Sequence, residues 1–151
     1  MSPEPLILDA SALVARRFEE ISKRCGPSGR PEGLPHADRL LWYVVATRCE
    51  KDINGIESVF DQLLNEEELL FMVDSLMALQ EPELAAAFQS AHAALAVVNF
   101  YGSGAQCHDF GDVLARELES VDAALDEDGR LWRLDEKLTR LAHGAGIAST
   151  P

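Results

Sequence analysis

The chain has 151 residues, 47% of them hydrophobic, and carries 26 acidic against 13 basic side chains for a formal net charge of −13. A chain of that length suits one domain, burying roughly 70% of its unfolded surface without metals or disulfides, and the apolar content excludes a disordered polyanion. The charge argues against direct nucleic-acid binding, because readers of a phosphate backbone gain affinity through Lys and Arg.

The acidity is concentrated in one stretch. Residues 52–115 contain no Lys or Arg and eleven carboxylates, netting −11, whereas 1–51 nets +1 and 116–151 nets −3. Such asymmetry bears on partners before it bears on fold. Cys25, Cys49 and Cys107 are odd in number and widely spaced, so they suit neither a disulfide framework nor a CxxC motif and read as reduced cytosolic thiols. MSPEPLILDASALVARRF has no basic region ahead of its short apolar run, which predicts no secretion signal and a cytoplasmic protein. The stretch 84–108 has no formal charge but is broken by Gln89, Ser90, His92 and Asn99. It therefore lacks the about 20 apolar residues of a membrane helix.

In chain order the pattern predicts helices. The first covers 11–25, with Leu13, Val14, Phe18, Ile21 and Cys25 at helical spacing, and Gly26-Pro27 stops it. A Gly- and Pro-dense loop over 26–35 packs with it onto the rest. The second follows Pro35 and runs to Lys51, turning Leu40, Leu41, Val44, Val45 and Cys49 to the core. Arg48 lies within that apolar arc, where it snorkels at the helix end or pairs with a carboxylate such as Asp52.

Asn54-Gly55 breaks the pattern, and a short helix over 56–64 buries Ile56, Val59, Phe60 and Leu63 while Glu57 and Asp61 face solvent. Asn65 is the expected N-cap of a fourth helix over 66–79, with Glu68 completing a capping box and Glu66 and Glu67 in the first turn. That helix buries Leu69, Met72, Val73, Leu76 and Met77, leaving Phe71 beside Asp74 as a second packing or dimer surface. Pro82 opens a fifth helix with a Leu84, Phe88, Ala91, Leu95 and Val98 stripe and alanines opposite, the pattern of a central helix. A sixth, 110–125, buries Phe110, Val113, Leu114, Leu118, Val121 and Leu125. The turn 126–129 leads to a seventh helix ending near His143-Gly144, with Asp135 among its outward residues. The fold class is all-α, a single-domain bundle of about six to seven helices over 1–151.

No motif supplies chemistry. Gly102-Ser103-Gly104 lacks the spacing and Lys of a phosphate loop, and Cys107, His108 and Asp109 are adjacent in sequence, whereas a nucleophile and its base come from separate elements. Asp126 to Gly129 lacks the ligand offsets of a calcium loop. His36, His92, His108 and His143 are too scattered for a metal pair. No catalytic residue, metal or cofactor is assigned. An enzyme would instead need a concave pocket with convergent titratable groups, near His92, Tyr101 or His108.

The segment Asp52-Ile53-Asn54-Gly55-Ile56-Glu57-Ser58-Val59-Phe60, then Leu76-Met77-Ala78-Leu79-Gln80-Glu81-Pro82-Glu83-Leu84-Ala85, and the later Leu125-Asp126-Glu127 with the helix from Leu131 to Leu141, carry a resemblance. Over about 38–141 the chain resembles a family of small bacterial acidic all-helical domains whose best-known member is a dimeric DNA mimic, although Ile56 stands where that family has a second Gly. The resemblance implies a non-enzymatic protein, able to form a homodimer, that occupies the DNA-binding surface of a transcription regulator or other basic partner. The partner-facing acids are then Glu57, Asp61, Glu67, Asp74, Glu81 and Glu83, beside Phe71. The alternative is an interaction module of immunity or scaffold type whose acidity serves solubility.

Overall fold

The computed structural model describes residues 10–98, 100–101 and 111–148, with side chains as far as Leu141. Among these residues all regular structure is helical. The elements are α1 (Ala10–Arg24), α2 (His36–Asn54), α3 (Ile56–Ser58), α4 (Glu66–Ala78), α5 (Pro82–Val97), α6 (Gly111–Asp126) and α7 (Arg130–Ala148). Tight 3-10 turns at Gly26–Ser28 and Glu127–Gly129 precede α2 and α7, and a π-helical segment, Val59–Leu63, continues α3. No helix among the described residues is long and apolar enough to cross a membrane. The chain divides into two compact units, one containing α1, α2 as far as Val45 and α7 from Arg133, the other spanning Ala46–Trp132.

In the first unit, α1 buries Val14 and Ile21, two turns apart on one face. Along α2 the whole run from Leu40 to Val44 is buried, including Trp42 and Tyr43, so the core side is wider than the predicted stripe. Phe18 stacks on Trp42 at 6.0 Å between ring centroids, and the Trp42 indole N–H donates to Ser22 Oγ at 3.2 Å. Asp38, at the start of α2, is only 3% exposed. Burial of a carboxylate is tolerable there because Arg17 meets its Oδ1 at 2.9 Å and Arg24 its Oδ2 at 3.3 Å. Asp135 corrects the outward placement expected for α7. It is buried, accepting a hydrogen bond from Ser11 Oγ at 2.8 Å.

The second unit begins with the end of α2, where Thr47 and Arg48 are buried and Cys49, expected in the core, is exposed. Arg48 is 3% exposed, so it does not snorkel out at the helix end as one expectation had it. Its guanidinium donates from Nε and Nη2 to the carbonyl of Leu131 and lies 4.8 Å from the Trp132 ring centroid. One turn on, Lys51 Nζ binds Asp122 at 2.6 Å and Asp126 at 2.8 Å, fastening α2 to the end of α6. Asn54 then gives way to Gly55, whose φ of +92° is accessible to glycine at little cost.

The helix expected over 56–64 forms only partly as α-helix. The Leu64 N–H reaches the Val59 carbonyl at 2.8 Å, five residues back, widening the turn. The extra residue rotates the chain beyond it, so Leu64 enters the core and Leu63 is left half-buried. Reciprocal hydrogen bonds of 2.8 Å between Asn65 and Glu68 form the predicted capping box of α4. Pro82 opens α5, which packs against both α4 and α6. Its buried stripe is Leu84, Phe88, Ala91 and Leu95, each of the large members contributing about 2–3 kcal/mol. Its opposite side, with Ala86, Gln89, Ser90, Ala93 and Val97, faces solvent, so α5 is one-sided rather than enclosed. Val113 of α6, expected in the core, is exposed as well.

Candidate partner-binding surface

The acids singled out in the sequence emerge from α3, the π-helical segment that continues it, α4, the turn beyond α4, and α5, all in the second unit. Glu57 is exposed on α3, whereas Asp61, in the π-helical segment, is half-buried and accepts a hydrogen bond from Gln62 Nε2 at 2.9 Å. Glu67 and Asp74 lie two turns apart on the outward face of α4 and are both exposed. Glu81 is half-buried in the turn joining α4 to α5, where its N–H donates to the Leu76 carbonyl at 2.9 Å. Glu83 stands exposed in the first turn of α5, where the positive end of the helix dipole favours an anion.

Two assignments on α4 change. Phe71, expected to project, is half-buried. Met77, expected in the core, is 55% exposed, and Leu70 is 41% exposed. The reason is that the buried side of α4 includes Glu68 and Ser75 alongside Leu69, Met72, Val73 and Leu76. Two polar residues on the inner side turn the outward direction toward Glu67, Leu70, Asp74 and Met77. This run, at spacings of three, four and three, is a helical face that the apolar pattern alone hides.

The neighbouring acids are satisfied locally. Glu68 is consumed by the capping box, and Glu66 Oε2 lies 2.9 Å from His92 Nε2 on α5. The His92 ring stacks on Tyr101 at 6.4 Å, with an interplanar angle of 22°. Burial, with a smaller contribution from the Glu66 charge, pushes the Tyr101 phenol up to about 12, so it stays protonated at neutral pH. Glu57, Glu67, Asp74 and Glu83, by contrast, have no ion pair or side-chain hydrogen bond among the described residues.

Comparison with protein-family models, curated proteins and solved structures finds no match. The functional reading therefore rests on the exposed acids Glu57, Glu67, Asp74 and Glu83. Among the described residues, no three His, Cys, Asp or Glu side chains gather where they could hold a metal ion. Gly102-Ser103-Gly104 and Cys107-His108-Asp109 lie outside the described residues, as does Phe110. Cys25 donates through Sγ to the Ile21 carbonyl at 3.3 Å, and burial together with Glu32 raises its thiol pKa, a setting that disfavours the nucleophilic thiolate.

Proposed function

We propose that the protein is a non-catalytic acidic binding protein that sets the carboxylates of α3, α4 and α5 against the basic surface of a nucleic-acid-binding protein. It would thereby take the place of DNA, as the resemblance of 52–60 and 76–85 to acidic DNA-mimic domains implies. The observation that carries this reading is the unequal pairing of acids. Asp38, Asp122, Asp126 and Glu127 each meet an Arg or Lys within the fold. Glu57, Glu67, Asp74 and Glu83 stand exposed in the segment that lacks Lys and Arg altogether. Unpaired like charges in one region repel one another, and a basic partner removes that cost while gaining what it gains from phosphates.

A second reading is favoured by Leu70 and Met77, which interrupt the acids of α4 with exposed apolar groups that a phosphate array does not present. It makes the chain an interaction module of immunity or scaffold type whose partner need not bind DNA. Capture from the native host with the full chain, at about 0.1 M and about 1 M salt, separates the two, because screening shortens from about 10 Å to about 3 Å between them. DNA-binding proteins released by salt and by added duplex DNA support the mimic. Salt-insensitive capture of proteins without DNA affinity contradicts it and favours the module.

A further inference from the structure

The C-terminal half of α5 and the N-terminal half of α6 enclose a groove of about 580 Å³ that the acidic face of α4 does not use. Its walls hold Val97, Val98 and Val113, which are 85%, 52% and 74% exposed. Ala93 at the groove adds no bulk that would keep a partner's backbone away. Isolated exposed apolar residues are ordinary, whereas these three branched ones line one groove. Among the described residues, the charged ones in the lining are Asp112 and Glu117, both acidic.

We propose that this groove docks one amphipathic helical segment of another protein, apolar on the inserted face and carrying Lys or Arg along its flanks. A helix presents apolar side chains three and four residues apart, and the groove runs between two helices over about two turns of each. The acidic rim selects basic flanks over acidic ones. A second copy of the chain is disfavoured, because copies meeting at this groove bring Asp112 and Glu117 against their own counterparts. The proposal is independent of the α4 face, and its test does not involve Glu57, Glu67, Asp74 or Glu83.

The test is an NMR titration of the isotope-labelled full chain with a synthetic helical peptide of about five turns. The peptide carries a Leu and Ala stripe with Lys flanks, and the same stripe with Glu flanks is the control. The Lys-flanked peptide is expected to shift the amides of Val97, Val98, Val113 and Glu117. Its affinity is expected to fall about fivefold when Asp112→Asn and Glu117→Gln are combined. Val97→Ser and Val113→Ser, made separately at exposed positions that leave the core intact, should each weaken it as well. Equal binding of the two peptides overturns the proposal, as do shifts confined to α4. Groove amides that move with chain concentration before peptide is added also overturn it, since a second copy then fills the groove.

Discussion

Arg48 and Lys51, one turn apart on α2, show two ways to bury a cation. Arg48 spreads two N–H donors over the Leu131 carbonyl beneath the Trp132 ring. Arg48→Ala is expected to cost about 3 kcal/mol, from a charged hydrogen bond and a ring contact, lowering the midpoint of thermal unfolding by roughly 6–12 °C. Arg48→Lys is not expected to restore it, because an ammonium lacks the planar fork. The anomaly of an Arg in an apolar arc is readable from the sequence. Its acceptor is not, being a backbone carbonyl 83 residues away. For Lys51, burial pulls the pKa down, but hydrogen bonds and charge from Asp122 and Asp126 outweigh it and raise the value above its ordinary 10.5. Both Lys51 and Tyr101 thus hold protons in the folded state that the unfolded chain loses at lower pH. Their contributions are complete below about pH 10 and are lost as pH rises through the folded values. Urea midpoints should accordingly be flat from about pH 7 to 9 and fall from about pH 10 to 12. Tyr101→Phe should remove the tyrosine part of that fall. Because the Tyr101 hydroxyl is buried without a hydrogen-bond partner among the described residues, the same change is expected to raise stability at pH 7 by up to about 1 kcal/mol.

Among the elements, α4 is the most instructive. Its start is legible because a capping box is a local pattern, Asn65 followed three positions later by Glu68, and the fold contains it. Asn65→Ala should cost about 1 kcal/mol by urea unfolding, with Asn65→Asp close to neutral. Its orientation is not legible, because Glu68 and Ser75 face inward and an apolar wheel cannot anticipate buried polar groups. The same limit applies to α2, where Thr47 and Arg48 are buried and Cys49 is exposed. Around Val59–Leu63 the hidden feature is a single residue inserted into the turn, which changes which leucine enters the core. Since Leu70 and Met77 contribute little to the core, Leu70→Ser and Met77→Ser should leave unfolding within about 0.5 kcal/mol of the parent. If the α4 face binds a partner, the same two changes weaken capture, and unchanged capture removes that face from the interface.

At the scale of the whole molecule, the segregation of charge is a property of the sequence alone, while the distinction between paired and unpaired acids comes from the fold. Asp61 and Glu81 are half-buried, which narrows the six acids that the sequence nominates to Glu57, Glu67, Asp74 and Glu83. With a pI near 4.6, the protein should be least soluble near that pH, where its net charge vanishes. The central claim is that the unpaired acids bind a basic partner, and the most direct measurement is the affinity for a captured DNA-binding partner across a salt series. The chain and its Glu57→Gln, Glu67→Gln, Asp74→Asn, Glu83→Gln variant should be compared. Binding by the unaltered chain is expected to weaken steeply with salt, and the variant to bind about tenfold more weakly near 0.1 M with a shallower dependence. Equal affinities and equal salt slopes for the two proteins would contradict the account.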